Sequence, residues 1–171
     1  VSAGRHLLVD GYNVIRSTVP YREIAENDME SARAALVADV AGFAGREWRA
    51  TIVFDGAGNP HSTGGTHSVA GIDVIFSAFG VEADTVIERM ASELRSQGAE
   101  VQVVTSDAQT QWAVLGESVS RRSATEFAGE LGDARSGWEA HSATGGKSSR
   151  IEDRIDSDVR RVLERWARGK R

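Results

Sequence analysis

Short apolar runs that break off at acidic or hydroxyl residues alternate along this chain with segments of helical period, and no other feature constrains its fold as tightly. Leu7 to Val9 is the first run, ended abruptly by Asp10 and Gly11, since glycine permits backbone angles that other residues avoid. Ala50 to Phe54 is the second, and it too runs into Asp-Gly, at Asp55 and Gly56. Gly71 to Phe79, centred on Val74, Ile75 and Phe76, is the third, and Val101 to Val104, which runs out at Thr105, Ser106 and Asp107, is the fourth. Between the first two, Asn27 or Asp28 caps a helix that carries Ala32, Leu36, Val40 and Phe43 on one face and stops at Gly45. Val81 to Asp84 opens another, with Val86, Ile87, Met90 and Leu94 inward and Gly98 at its close, and a third follows Asp107 through Trp112 and Leu115. Three such alternations in succession predict right-handed crossovers and an α/β, three-layer fold whose mainly parallel central sheet is flanked by helices.

The other segments carry less pattern. Val14 to Asn27 contains Pro20 and no sustained period, which predicts a loop with at most a turn of helix. Ala57 to Ala70, rich in glycine with Pro60, His61 and His67, reads as a flexible surface loop. Val119 starts a short strand, and Ser123 to Glu126 forms a capping box for a helix carrying Phe127, Leu131 and Trp138. Ser142 to Ser149 reads as a linker. Ile151 to Ala167 then sets Ile151, Ile155, Val159, Val162 and Trp166 on one helical face with arginines opposite. The expected organisation is therefore a main domain over 1–141, with the linker and basic amphipathic helix of 142–171 packed on it.

Composition narrows the class. The 171 residues suit one domain with a proper core, and the longest apolar runs are strand-sized, far below the roughly 18 residues of a membrane span. Arg5 and His6 lead into only three apolar residues, which does not read as a secretory signal. With no cysteine, disulfides and thiolate metal sites are excluded, which fits a reducing cytoplasm. A formal charge of −5 counts against nucleic acid as a partner of the surface as a whole. From Lys147 to Arg171, however, nine Lys or Arg face five Asp or Glu, leaving +4 in this tail and −9 elsewhere. A basic contact surface can then stand beside an acidic pocket.

Four aspartates end strands or begin helices: Asp10, Asp55, Asp84 and Asp107. In a parallel sheet all four approach the carboxyl edge, where open α/β folds bind ligands. Crowded carboxylates repel until a proton or cation neutralises them, and hard oxygen donors suit Mg²⁺ or Mn²⁺ better than zinc. Asn13, three residues after Asp10, can turn its amide into the same crevice. Each residue alone has a blander explanation: Asp-Gly is a common turn, Asp84 complements a helix dipole, and Asp107 is a cap. Their coincidence on one predicted edge favours a site. His61 and His67 fit no usual zinc spacing, and the glycines near them do not form G-x-G-x-x-G.

Asp10-Gly11-Tyr12-Asn13, Phe54-Asp55, Glu82-Ala83-Asp84, Thr105-Ser106-Asp107 and Arg122-Ser123-Ala124-x-Glu126 together resemble, in order and spacing, the successive motifs of the YacP-like NYN domain family across roughly residues 5 to 131. The resemblance implies a PIN-like fold and metal-dependent ribonuclease activity, and some bacterial relatives are ribosome-associated endoribonucleases that cut mRNA in the A site. It makes Asp10, Asp84 and Asp107 metal ligands, Asn13 an active-site amide, and Asp55 a supporting acid at the metal. Val81 stands where the family's third motif begins differently, and no family motif is matched from Asp133 onward.

The expectation is thus a cytoplasmic Mg²⁺- or Mn²⁺-dependent endoribonuclease, monomeric or weakly dimeric, with Arg121, Arg122, Arg160, Arg161, Arg165 and Arg168 contacting the RNA backbone. One competitor is a non-catalytic RNA- or ribosome-binding module on the same fold. Another is a small-molecule phosphatase or phosphotransferase with Asp10 as nucleophile. That chemistry usually puts a second aspartate two residues on, where this chain has Tyr12.

Overall fold

The computed structural model describes residues 4–106, 118–142 and 149–169. The helix expected after Asp107, with Trp112 and Leu115, lies outside the described residues, as does Asp107 itself. Six strands form one sheet: β1 (Arg5–Asp10), β2 (Trp48–Phe54), β3 (Thr66–Val69), β4 (Ile72–Phe76), β5 (Glu100–Val104) and β6 (Val119–Arg122), in the order β3-β4-β2-β1-β5-β6. All neighbours pair in parallel except β3 with β4. Among the described residues, six helices cover it: α1 (Gly11–Ser17), α2 (Val19–Asn27), α3 (Met29–Ala44), α4 (Ala83–Ser96), α5 (Ala124–Ser142) and α6 (Ser149–Ala167).

Side chains alternate across the pleat, so each face of the sheet feeds its own core. Leu7, Val9, Ile52 and Phe54 pack with residues of α1, α2, α3, α5 and α6, while Leu8, Val53, Val101 and Val103 pack with Val86, Ile87 and Ala91 of α4. The result is the expected mixed α/β sheet with helices on both faces. α3 lies under several neighbours, which is why it is buried around much of its circumference, from Ala32 and Ala34 to Leu36, Val37 and Val40.

Two expectations are corrected. Val14 to Asn27 is not a loop but most of α1 and all of α2. Asp10 caps α1 by accepting from the Asn13 amide at 3.1 Å, and Pro20 sits in the first turn of α2, where its missing N–H removes no helical bond. Helices of seven and nine residues are too short to display a period. Ala57 to Ala70, in turn, contains β3, joined to β4 by Ala70 and Gly71, both at positive φ as a tight hairpin requires. Its polar residues mark an edge strand, and alternation over four positions is easily mistaken for loop.

One buried polar contact ties three helices together. The hydroxyl of Tyr21, 2% exposed, donates to Asp39 Oδ2 at 2.5 Å, and Arg135 Nε of α5 donates to Asp39 Oδ1 at 3.1 Å. Burial, aided by the Asp39 charge, pushes the phenol upward from its usual range, so it remains a donor. Asp39→Ala leaves that hydroxyl without its acceptor and is expected to lose about 2–4 kcal/mol in denaturant unfolding. Arg135→Ala, at a half-exposed partner, should lose about 1 kcal/mol or less. Equal losses for the two would contradict this ranking.

Candidate active site at the carboxyl edge

From β1 the chain builds outward through β2 to β4 on one side, then returns through α4 to β5 and β6 on the other. This reversal leaves a crevice outside the carboxyl end of β1, the position where open α/β sheets bind ligands. Asp10 is the last residue of β1 and lies at that point.

Gly11 is required there. A Cβ on it would lie 2.4 Å from Phe54 Cε1 and 2.9 Å from Ile52 Cγ2, so only glycine lets α1 begin directly above the core. Tyr12 follows, tilted against Phe54 at 5.1 Å between ring centroids, and its hydroxyl accepts from Arg33 Nη1 at 2.6 Å. Arg33 is 6% exposed and also pairs with Glu30 at 2.5 Å. Nothing in the sequence reading singled out Arg33. The available signal was a charge in line with Val37, Val40 and Ala44 on a buried helical stripe.

Asn13 ties the start of α1 to another strand. Its Oδ1 accepts the backbone N–H of Ser106 at 2.7 Å, joining the start of α1 to the exit of β5 immediately before Asp107. Asp55 Oδ1 accepts from the Ala57 amide at 2.8 Å and Oδ2 from the Ala83 amide at 3.4 Å, so this exposed acid caps α4 from outside the helix. That contact brings Asp55 to the first turn of α4, where Asp84 stands.

Asp10, Asp55 and Asp84 therefore share one edge and feel one another. Burial pushes the Asp10 carboxyl up from 3.8 to about 6, opposed by the Asn13 amide and reinforced by the negative charges of Asp84 and Asp55. Arg16, whose guanidinium lies 5.6 Å from the Tyr12 ring centroid, offsets part of this. Among the described residues, no three acidic or histidine side chains come close enough together to hold a metal ion. The donors present nonetheless suit a hard divalent cation in kind, being carboxylate and amide oxygens whose mutual repulsion a positive charge would relieve.

The arginines fall into two groups. Arg121 and Arg122 lie on β6 at one edge of the sheet, with Arg122 paired to Glu130. Arg160, Arg161, Arg165 and Arg168 lie on or just past α6, where Arg160 pairs with Asp28 at 2.7 Å and Arg168 with Glu164. The end of α6 is docked beside the opposite edge. Trp166 stacks on His67 of β3 at 4.1 Å and 15°, and Asn59 Nδ2 donates to the Ala167 carbonyl at 2.8 Å. His67 is thus half-buried rather than a free loop residue.

The model of the YacP-like NYN domain matches residues 7–168. The chain belongs to the YacP-like NYN domain family. NYN domains are PIN-like nucleases, generally dependent on divalent metal ions, and the family implies RNA as the substrate class. A curated Bacillus subtilis relative, "Uncharacterized protein YacP", is 30% identical over 176 residues, spanning 96% of this chain and 86% of that protein. The crystal structure of Rae1 (YacP) from Bacillus subtilis superposes with a TM-score of 0.66 at 30% identity, covering 95% and 94% of the two chains. A tryptophan-to-leucine variant of it superposes at 0.65 with 29% identity, covering 88% and 89%. The NYN match extends well past Asp133, so it takes in the rest of α5 and α6, where no family motif was matched in the sequence. Among the described residues no helix is long and apolar enough to cross a membrane.

Proposed function

We propose that this NYN protein is a divalent-cation-dependent endoribonuclease whose centre is formed by Asp10, Asp84 and Asp107, with Asp55 as a supporting acid. The observation that carries the reading is that Asp10, Asp55 and Asp84 share the carboxyl edge of the sheet, where burial, with the charges of Asp84 and Asp55, raises the pKa of the Asp10 carboxyl to about 6. Mg²⁺ or Mn²⁺ held by these oxygens would lower the pKa of an attacking water and offset charge on the phosphodiester. Asn13 acts on the same centre by fixing the exit of β5, which leads straight to Asp107. Arg16 supplies a positive charge beside Asp10 for a substrate phosphate.

Arg121 and Arg122 of β6, with Arg160, Arg161, Arg165 and Arg168 on or just past α6, are the backbone contacts we propose for an RNA strand that reaches the carboxylates. Contacts of this kind give affinity without choosing sequence. Three or four such phosphate contacts predict that Kd for a single-stranded RNA weakens roughly twenty- to fiftyfold between 50 and 200 mM salt. A flat response, measured by fluorescence anisotropy, would remove the arginines from the interface. Action on mRNA at the ribosome, in the cytoplasm, is the setting we propose. The test of the whole reading is internal cleavage of a labelled RNA by the intact protein with Mn²⁺, lost on chelation and in Asp84→Asn. RNA binding without cleavage in any divalent cation would instead indicate a non-catalytic RNA-binding module.

A further inference from the structure

The segments that lead to Asp55 and to Asp84 at the start of α4 leave different strands, and beside the Gly80 N–H to Ala57 carbonyl bond at 3.0 Å and the Ala83 amide on Asp55 Oδ2, a buried side chain joins them. Ser77, just past the end of β4, is fully buried. Its Oγ accepts the backbone N–H of Gly56 at 2.8 Å and donates to the Val81 carbonyl at 2.6 Å. Gly56 is bonded to Asp55 along the chain, and Val81 precedes Glu82, Ala83 and Asp84. Around this link the packing leaves no slack. A Cβ on Gly56 would lie 2.1 Å from the Ser77 carbonyl oxygen, and the same oxygen accepts from Ser62 Oγ at 2.7 Å.

We infer that Ser77 is a positioning residue for the cation site, setting the separation of the Asp55 loop from the first turn of α4 so that Asp84 meets Asp10 at a fixed distance. This rests on the proposed cation-dependent reading of the same edge. An alanine at 77 removes the acceptor of a buried N–H and the donor to a carbonyl, and both loops must shift to recover partners in water. Hydrogen bonds made directly to metal ligands typically hold affinity by about 10- to 100-fold, and Ser77, which acts one step further out through the backbone, is expected at the lower end of that range.

Ser62 supplies the control. It belongs to the same buried plug and bonds the Ser77 carbonyl, yet it bonds neither the Gly56 amide nor the Val81 carbonyl. Mn²⁺ binding to the intact protein, read from the free-ion electron paramagnetic resonance signal, is compared for the parent, Ser77→Ala and Ser62→Ala, with melting temperatures alongside. Ser77→Ala is expected to weaken Mn²⁺ binding at least about tenfold and Ser62→Ala less than about threefold, although both lower the melting temperature. Ser77→Thr, which keeps the hydroxyl, should recover most of the affinity. Should Ser77→Ala not fold, Ser77→Cys replaces it, and the weaker hydrogen bonds of its thiol should still weaken binding severalfold. Parent-like affinity in Ser77→Ala or Ser77→Cys, or equal losses in the two serine variants, overturns the inference. A parent that takes up no Mn²⁺ overturns the cation reading itself, a distinct result.

Discussion

Asp10→Asn is expected to reduce RNA cleavage by about a thousandfold or more while making the cation-free protein more stable at neutral pH. The first effect follows from removing a charge that the centre needs. The second follows from the Asp10 carboxyl, which rises from 3.8 to about 6 on folding. Between those values the folded chain keeps a proton that the unfolded chain has released, so stability falls as pH climbs from about 4 to 6 and stays reduced above it. A rise of that size corresponds to about 3 kcal/mol at most. Asparagine cannot ionise, and its side-chain oxygen still caps α1 through the Asn13 amide, so the variant escapes the penalty without losing the cap. In melting curves recorded without divalent ions, Asp10→Asn should exceed the parent by roughly 3–10 °C at pH 7 and converge with it near pH 4. Adding Mn²⁺ should stabilise the parent and leave the variant unmoved. Superimposable melting curves at every pH would mean that Asp10 is not under this strain.

Gly11→Ala is expected to be strongly damaging, although alanine there adds a single methyl group. Its Cβ would meet Phe54 at 2.4 Å, and that ring cannot turn aside because Tyr12 lies against it at 5.1 Å and Phe76 stacks on it at 5.2 Å. Overpacking of so closed a site costs about 3 kcal/mol, a large fraction of a stability that totals about 5–15 kcal/mol. A fall in melting temperature of roughly 6–12 °C follows, together with loss of cleavage, because the displaced turn begins at Asp10. Gly129→Ala on the exposed face of α5 provides the contrast. Nothing lies within 4 Å of its Cβ, and alanine there should add about 0.5–1 kcal/mol. If Gly11→Ala melts with the parent, the core beneath α1 is softer than these contacts imply.

Both variants concern a turn that was legible from Leu7 to Asn13 alone, and the reason is physical. Apolar runs that stop at Asp-Gly, alternating with helical periods, leave a parallel sheet little freedom, so β1, β2, β4, β5, α3 and α4 all follow from pattern. The acids were legible for the same reason, since each ends a strand or opens a helix. What escaped was set by long-range contact. α1 and α2 are too short for a period, and β3 acquires its strand character only by pairing with β4. Ser77 and Arg33 act through partners 21 residues away in sequence, Gly56 and Tyr12 respectively, which no local spacing announces. The bond from the Ser106 N–H to the Asn13 side-chain oxygen also spans 93 residues of sequence. The ion pairs of Arg122, Arg160 and Arg168 likewise depend on which carboxylates the fold brings near.

The reading of this edge as a cation-dependent nuclease centre is tested most directly by a Mn²⁺ titration of the intact protein against Asp84→Asn. The prediction is saturable uptake by the parent and a loss of at least about tenfold in affinity in the variant, with its melting temperature in chelator unchanged or raised. Equal uptake by both proteins would contradict it.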